Sequence, residues 1–327
     1  MFRVLLFGFF VTSALAQQPG PTRGGAGKGA EALLQTDRDA WPSYTLKAER
    51  SWLLNLPQGR EFGASGLLLL TNGDLLTVRD RGPTLYRIQF PTNGEPAADL
   101  IAVPNVFTTS QLKKYAREKI SYYDTEGIAR DDLGRLYICE EANRWILRCD
   151  PATRQAERLD IDWSPVKKFF SSDRNASFEG IAIGNGKLFV ANERSTPVII
   201  VVDFNSLKVV DHYQVFPRKP SFLGTHYSDL SWYEGKLYVL CRQHRVILEV
   251  EPESRKITGE FDYAEVEDQL GYMTQLPVGV MEGLAVSADF FWLATDNNGM
   301  PRLSAPKDTR PSVVKLPRPD RGQSAMK

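Results

Sequence analysis

The chain has 327 residues, is 42% hydrophobic and carries 40 basic and 40 acidic residues. This composition is typical of a folded globular protein, and the length suits one large domain or two smaller ones. Because the formal net charge is +0, the sequence argues against a nucleic-acid-binding protein and against one that adheres to anionic membranes.

The N-terminus has the order of features found in secretory signal peptides. Arg3 supplies a positive charge, residues 4–11 form an apolar core, and residues 14–16 (ALA) form a small-x-small cleavage site. The stretch is too short to span a membrane, and no later segment approaches about 18 consecutive apolar residues. We therefore predict a signal peptide over residues 1–16 and export to the periplasm or the extracellular space, with no membrane span.

The next segment, residues 17–40, is rich in glycine, proline and polar residues. This composition predicts a flexible tether. Residues 41–318 are rich in β-branched, aromatic and turn residues, which is typical of an all-β domain. Residues 319–327 are polar again, and we expect them to form a loose tail.

One sequence pattern recurs five times within the strand-rich region. The units begin at Ser65, Glu126, Glu179, Ser228 and Glu282. Each unit reads as a strand, a tight turn, a second strand, a polar loop and a third strand, and the segment that follows can supply a fourth. A repeat of about 50 residues that holds about four strands is the signature of a propeller blade. We therefore predict a β-propeller of five blades with antiparallel strands, and a sixth, degenerate blade remains the alternative.

The fifth unit is incomplete at its end. It has two clear strands and the stretch PSVVKLP at 311–317. The strand-like residues 46–56 would complete it, so N- and C-terminal strands would share one sheet and close the ring without an exposed edge. Before the second unit, Leu112, Tyr115 and Ile120 fall on one face, which predicts a short helix over 110–120 with Ser110 as its N-cap.

The chain has three cysteines, Cys139, Cys149 and Cys241. If Cys139 and Cys149 lie on neighbouring strands joined by a loop at 141–144, Cys139 faces Ile146 and Cys149 faces Leu136. The two thiols are then out of register for a disulfide, and we expect buried, free thiols.

Acidic residues recur at two positions of the repeat. Glu126, Glu179 and Glu282 begin first strands, and Asp80, Glu141, Glu193 and Asp296 end second strands, 14 or 15 residues after the start of their units. Consecutive strands of a blade are antiparallel and the first strand lines the central channel, so both positions lie at one end of the channel. We expect up to seven carboxylates around this mouth. The fourth unit departs from the pattern, with Ser228-Asp229 and Arg242 at the two positions.

Such a ring of acids requires compensating charge. A hard cation such as Ca²⁺, which takes about six to eight oxygen ligands, would supply it. Alternatively, arginines of the same loops would pair with the acids and tie each blade to its neighbour; these are Arg81, Arg144, Arg194, Arg242 and Arg245. Both solutions can coexist, with Arg81, Arg194 and Arg242 holding an anionic substrate through bidentate bonds.

His226 is predicted to lie near the same mouth, where an imidazole can act as a general acid or base. A surface histidine without a catalytic role is the alternative. Together with Glu126, Glu179 and Glu282, His226 completes the set of candidate catalytic residues.

Several short motifs resemble those of a known family of secreted β-propellers. The motifs are RDRGP at 79–83, DTEGIA at 124–129, NASFEGIA at 175–182, ANER at 191–194, SDL at 228–230, MEGLA at 281–285 and ATDNN at 294–298. Their order and spacing over residues 63–299 resemble the phytase-like family, known for the "esterase-like activity of phytase". The SdiA-regulated propellers share the EGIA and SDL motifs. Arg79 departs from the family pattern, in which this position is more often serine.

The resemblance implies a propeller fold, export and hydrolysis of phosphate or carboxylic esters. With the acid ring, it leads us to expect a monomeric hydrolase that acts on a small anionic ester, with Ca²⁺ at the channel mouth. The alternative is a non-catalytic propeller that binds a ligand or an envelope partner, in which the acids hold a structural metal or form a ring of salt bridges.

Overall fold

In a computed structural model of the chain, the described residues are 41–56, 62–80, 82–112, 124–193, 196–274 and 279–320. All of them belong to one compact unit, Asp39–Lys327. The predicted signal peptide, the tether, Arg81, Arg194 and most of the C-terminal tail lie outside the described residues. Within these ranges, no helix is long and apolar enough to cross a membrane.

The described strands form four-stranded antiparallel units, as the repeat predicts. Two N-terminal strands, β1 (Ser43–Thr45) and β2 (Arg50–Asn55), precede them. The first blade contains β3 (Ala64–Leu69), β4 (Leu75–Arg79), β5 (Leu85–Gln89) and β6 (Ala97–Ala102). The second contains β7 (Thr125–Arg130), β8 (Leu136–Glu140), β9 (Trp145–Asp150) and β10 (Gln155–Arg158).

The remaining blades follow the same order. The third contains β11 (Phe178–Gly184), β12 (Lys187–Asn192), β13 (Val198–Asp203) and β14 (Lys208–Tyr213). The fourth contains β15 (Tyr227–Tyr233), β16 (Lys236–Cys241), β17 (Val246–Glu251) and β18 (Lys256–Asp262). The fifth contains β19 (Met281–Val286), β20 (Phe290–Thr295) and β21 (Ser312–Pro317), and β2 is its outermost strand.

The innermost strands close a ring. Strands β3, β7, β11, β15 and β19 lie side by side in this order, and β19 lies beside β3. The prediction of a propeller is therefore confirmed, and the described residues contain five units of the repeat.

Apolar residues fill the space between neighbouring blades. In β12, Leu188 and Val190 pack towards the second blade, whereas Phe189 and Ala191 pack towards the fourth. This division follows from the strand period of two, which sends successive side chains to opposite faces. Because neighbouring blades cover both of its faces, the central strands of a blade are nearly continuous buried runs, as in β13 (VIIVVD).

The N-terminal strand β2 and the C-terminal strand β21 close the fifth blade, as predicted. Strand β2 pairs with β21 in antiparallel register, with Trp52 opposite Val313. It also pairs in parallel with β6 of the first blade. Strand β1 takes a different place, because it pairs in parallel with β18 of the fourth blade. The N-terminal segment thus covers the outer edges of three blades, which protects these edges from intermolecular pairing.

Two short α-helices lie outside the sheets in the described part of the chain. Helix α1 (Thr109–Leu112) begins one residue earlier than predicted, and Thr108 rather than Ser110 caps it. Residues 113–120 of the predicted helix lie outside the described residues. The Gln111 N–H donates to Thr108 Oγ1 at 3.3 Å and the Thr108 N–H donates to Gln111 Oε1 at 2.6 Å, which is a capping box. Helix α2 (Ala264–Leu270) ends at Gly271, whose φ of 64° is left-handed. Two 3₁₀ segments are Ser164–Phe169 and Arg242–His244.

The cysteines are free and buried, as the sequence predicted. Cys139 lies opposite Ile146 and Cys149 lies opposite Leu136. Burial raises the pKa of Cys139 and Cys241 well above the usual range of thiols, so neither is an activated nucleophile.

Glycines allow the inner strands to approach each other. A Cβ at Gly180 would lie 2.6 Å from the backbone nitrogen of Leu230 in the next blade. We expect Gly180→Ala to lower the free energy of unfolding by at least about 1–3 kcal/mol, because the rigid ring cannot open locally. Gly259→Ala is the matched control, since its Cβ would lie 3.4 Å from the Phe261 ring. Equal melting temperatures for the two variants would contradict this expectation.

Candidate functional site

The acids that begin the inner strands lie at β-bulges. The pairing of the first two strands shifts register between Phe178 and Gly180 and between Met281 and Gly283, so Glu179 and Glu282 are extra residues. A similar shift includes Glu126. A bulge interrupts the alternation of a strand and re-aims the side chain it carries. The bulge in each of these blades therefore points its carboxylate in a different direction from the side chains of the regularly paired inner-strand residues.

The acids that end the second strands are held by backbone hydrogen bonds. The N–H of Glu141 donates to Asp124 O at 2.8 Å, that of Glu193 to Ser177 O at 2.7 Å, and that of Asp296 to Val280 O at 2.9 Å. Each acceptor lies two residues before the inner-strand acid of the same blade. The two acidic positions of a repeat are thus brought to the same end of the blade.

The first group of carboxylates consists of Asp80, Asp124 and Glu126. One oxygen of each lies within 4.8 Å of the others. Burial, a hydrogen bond with Asp80 and nearby negative charges raise the pKa of Asp124 to about 8. Burial and then the charge of Glu141 raise the pKa of Glu126 well above the usual range of carboxyl groups. Asp124 and Glu126 therefore bind protons more readily than ordinary carboxyl groups do, unless a cation replaces these protons.

The second group consists of Glu141, Glu179 and Glu193, which are all buried and also have oxygens within 4.8 Å of one another. Burial and then the charge of Glu193 raise the pKa of Glu179 well above its usual range. The Ser177 N–H of the third blade donates to Glu141 Oε1 of the second blade at 2.9 Å. The second group thus spans the boundary between two blades.

Arg242 occupies the other side of the acid ring. One terminal nitrogen lies 2.6 Å from Glu193 Oε1, and the other pairs with Glu282 Oε1. Burial alone would lower the pKa of the guanidinium, but the charges of nearby carboxylates, Glu193 first, raise it. Arg242 therefore ties the fourth blade to the third and the fifth. The fourth unit, which breaks the acidic pattern, supplies the positive charge that part of the ring requires.

His226 also contacts the ring. Its Nδ1 lies 3.3 Å from Glu193 Oε1 and 3.5 Å from Gln243 Nε2. His244 is nearby, and burial followed by the charge of His226 lowers the pKa of His244 to about 4. His226 is thus the histidine that the structure brings to the acids, and its catalytic role stays a prediction.

Asp296, Arg144 and Arg245 also make contacts outside the two groups, although the charge of Glu141 acts on Arg144 and that of Asp296 acts on Arg242. Asp296 Oδ1 accepts the N–H of Asn298 at 2.8 Å within its own turn. Arg144 donates to Ser171 O at 2.7 Å, and Arg245 pairs with Asp268. The prediction that Arg81, Arg194 and Arg242 hold an anionic substrate is not tested by these contacts.

Three acidic residues of the site region were not among the predicted site residues. Asp124 joins the first group, although the repeat has no acid at this position in the other units. Glu140 is buried and accepts the Asn143 N–H at 2.8 Å, so it stabilises the turn after β8. Asp229 is fully buried at the channel axis. A signal for Asp229 was present, because the other units have glycine at the same position.

Asp229 connects three blades. Its Oδ2 accepts the N–H of Leu284 at 2.7 Å and that of Leu67 at 3.3 Å, and its Oδ1 accepts the N–H of Leu230 at 2.8 Å. Burial raises the pKa of Asp229 well above its usual range, and the three N–H donors oppose this rise. A carboxyl group thus fills the place where the other units have only a glycine.

The donor chemistry of the two groups fits a hard divalent cation. All six side chains offer carboxylate oxygens, which Ca²⁺ prefers over nitrogen or sulfur. In addition, Glu282 Oε2 is buried without a hydrogen-bond partner among the described residues. The second and third blades contribute most of these oxygens. On the other side of the ring, Arg242 of the fourth blade supplies a positive charge to Glu193 of the third blade and Glu282 of the fifth.

Comparison with protein families supports the resemblance seen in the motifs. The sequence profile of a family described as "Phytase-like: Esterase-like activity of phytase" matches residues 61–299. No match was found among curated proteins.

The solved structures that match the chain have low sequence identity to it. Glutaminyl cyclase from Myxococcus xanthus is 15% identical over 86% of this chain and 100% of that one, with a TM-score of 0.55. A luciferin-regenerating enzyme is 12% identical over 79% and 92% of the two chains, with a TM-score of 0.45. Virginiamycin B lyase from Staphylococcus aureus is 14% identical over 84% and 75%, with a TM-score of 0.40. The similarity to glutaminyl cyclase supports the fold alone.

Proposed function

The chain belongs to the phytase-like family, and on this premise we propose that it is an exported hydrolase of a phosphate ester or a related small ester. A divalent cation, Ca²⁺ by the chemistry of its ligands, would lie at the channel mouth. The observation that carries the proposal is the pair of three-carboxylate groups formed by the first three blades. When bound, the cation supplies a Lewis acid for the ester and lowers the pKa of water.

The residues of the chain have separate tasks in this proposal. Asp80, Asp124 and Glu126 hold the cation, or Glu141, Glu179 and Glu193 do so. Arg242 holds Glu193 and Glu282 in place, because it pairs with both.

His226 is the proposed proton carrier. If its Nδ1 carries the proton towards Glu193 Oε1, which lies 3.3 Å away, its Nε2 is left to accept a proton from water or to return one to the leaving group.

Hydrolysis is tested with a panel of phosphate monoesters, phosphate diesters and carboxylic esters, with Ca²⁺ and with a chelator. We expect turnover that the chelator abolishes, and a bound metal in freshly purified protein. If the second group holds the cation, Glu179→Gln should weaken metal binding by about 10–100-fold or more, since it removes a ligand outright. If the first group holds it, Glu126→Gln should have this effect instead. Glu253→Gln is the matched control, because Glu253 is exposed in the turn between β17 and β18. Absence of hydrolysis across the whole panel with Ca²⁺ present would reject the enzymatic function.

The acid groups also predict a pH dependence of stability. The pKa of Asp124 is raised from 3.8 to about 8 in the folded protein. The folded state therefore keeps a proton that the unfolded chain loses above pH 4, and the stability of metal-free protein should fall as the pH rises from about 4 to 8. Because a cation binds deprotonated carboxylates, Ca²⁺ should raise the Tm more at pH 8 than at pH 5. A Tm in chelator that rises over this range, without an effect of Ca²⁺, would contradict the prediction.

The second candidate function is a non-catalytic propeller that binds a ligand or an envelope partner. The ion pairs of Arg242 with Glu193 and Glu282 favour it, because they give part of the acid ring a structural purpose. Thermal denaturation combined with the ester panel separates the candidates. A loss of stability in chelator without turnover indicates a structural metal in a binding protein, and no change in either measurement indicates a ring of ion pairs.

A further inference from the structure

A cavity of about 550 Å³ lies between the first and second blades, at the end of the propeller opposite the acids. The β3–β4 and β7–β8 turns contribute part of its lining, together with strand β6 and the segment that follows it. The acids lie where β4 and β8 end, so the length of a strand separates them from these turns. The volume is within the range of small-molecule sites, which is about 300–1,000 Å³.

The buried part of the lining is apolar. It includes Leu76 of the first blade, Leu136 of the second blade and Val106 of the segment between them. All three belong to the hydrophobic cluster that fills the space between these two blades. Ile101 of β6, which is 41% exposed, extends the apolar lining towards the solvent. An apolar group that enters the cavity would therefore leave water for an apolar surface, which is favourable.

The segment after β6 forms a wall of fixed conformation. Pro104 and Val106 line the cavity, and their neighbours Asn105 and Phe107 have φ angles of 65° and 49°. A left-handed φ is unusual for an aromatic residue and persists only where the surrounding structure imposes it. Phe107 is fully buried, so the core anchors this wall. The cavity is therefore preformed, which reduces the entropy lost when a ligand binds.

Two arginines lie at the more exposed part of the lining. Arg87 lies 3.7 Å from Asp74, which is longer than a charge-assisted hydrogen bond of about 2.7–2.9 Å, and their side chains are 45% and 36% exposed. Asp74 Oδ2 accepts a bond from Asn72 Nδ2 at 3.0 Å instead. Arg130 is exposed, and a Cβ at Gly134 would lie 3.2 Å from one of its terminal nitrogens. The charged residues of the lining are thus two cations and one anion, and Arg87 keeps donors for an anionic ligand.

We propose that this cavity binds an alkyl monocarboxylate, that is, a fatty acid of medium chain length. The alkyl chain contacts Leu76, Val106 and Leu136, and the carboxylate bonds to Arg87 and Arg130. A guanidinium suits this role because its planar donors match the two oxygens of a carboxylate. The proposal goes beyond the hydrolase function and does not depend on it, because the cavity and the acids lie at opposite ends of the propeller.

The test titrates octanoate, butyrate and octylammonium calorimetrically into the full-length protein, both with Ca²⁺ and with a chelator. Octanoate should bind about tenfold more tightly than butyrate or better, because its longer chain removes more apolar surface from water. It should also bind about tenfold more tightly than octylammonium, whose charge the arginines repel. The affinity for octanoate should be the same in both solutions, because the cavity is remote from the channel mouth.

A substitution in β6 tests the contact with the alkyl chain. Ile101→Ser should weaken octanoate binding by about threefold or more and leave butyrate binding unchanged. Val210→Ser is the matched control, because Val210 is 53% exposed in the outermost strand of the third blade, as Ile101 is in that of the first. The control should bind octanoate like the wild-type protein.

A double substitution tests the contact with the carboxylate. Arg87→Gln/Arg130→Gln should bind octanoate about tenfold more weakly and should no longer prefer octanoate to octylammonium. Lys208→Gln/Lys256→Gln is the matched control, because it removes the same charge from exposed residues at the same end of the propeller. This control should keep the wild-type affinity.

No binding of octanoate, equal affinity for octanoate and octylammonium, or loss of octanoate binding in chelator would each overturn the proposal. Cavity variants that bind octanoate as tightly as their controls would overturn it as well. Thermal denaturation shows whether each variant keeps its fold, which is expected because all of the substituted side chains are exposed. The outcome is separate from the ester panel, because neither result changes the expectation for the other.

Discussion

Arg242→Gln should lower the free energy of unfolding by about 3–5 kcal/mol, the effect of removing one partner from a buried ion pair. The substitution leaves Glu193 and Glu282, which are 1% and 7% exposed, without their guanidinium. It also removes the link that joins the third, fourth and fifth blades at the mouth. Chemical denaturation of the wild-type protein and the variant at pH 7 measures the difference.

The matched control for this variant is Arg245→Gln. Arg245 pairs with Asp268, but their side chains are 37% and 68% exposed, so its removal should change stability by less than about 1 kcal/mol. Equal, small effects of the two substitutions would show that the acid ring does not depend on Arg242.

Asp229→Ala should lower the free energy of unfolding by about 3–5 kcal/mol. It would leave the N–H groups of Leu67, Leu230 and Leu284 buried without their acceptor, at about 1–3 kcal/mol for each unsatisfied group. Asp229→Asn keeps an oxygen that can accept the bonds from Leu67 and Leu284, and the loss should be only about 1–2 kcal/mol. Denaturant titrations of the two variants provide the comparison.

Asp150→Ala controls for the general effect of removing an aspartate that accepts backbone bonds. Asp150 Oδ1 accepts the N–H of Ala152 at 2.8 Å in an exposed turn, where water can replace the carboxylate. The loss should stay below about 1 kcal/mol. If Asp229→Ala were no more destabilising than Asp150→Ala, the three bonds at the channel axis would not hold the blades together.

The two variants address the two ways in which the fourth blade differs from the others. Asp229 replaces a glycine at the channel axis, and Arg242 replaces an acid at the mouth. Both residues bond to the neighbouring fifth blade, Asp229 through Leu284 and Arg242 through Glu282. The departures of one repeat from the common pattern thus supply bonds that join separate blades.

The fold and the two acidic positions could be predicted from the sequence because they depend on local patterns that recur. Turn residues and apolar runs define the strands of each unit, and the repeat of these units requires a closed ring. The fifth unit lacks a fourth strand, and the closed ring requires one, so the sequence also predicted that the N-terminal segment containing β2 supplies it. The register of Cys139 and Cys149 followed from the length of one turn.

The tertiary structure alone decided how the acids are divided. Asp80, Asp124 and Glu126 meet across two blades, Glu141 meets Glu179 and Glu193 across another boundary, and Arg242 takes the remaining side. The pairing of β1 with the fourth blade and the three bonds of Asp229 were also not predictable. The physical reason is that these contacts join residues from different repeats. Their distances depend on how the blades are placed around the channel, whereas a repeat pattern specifies only which end of the blade each residue occupies.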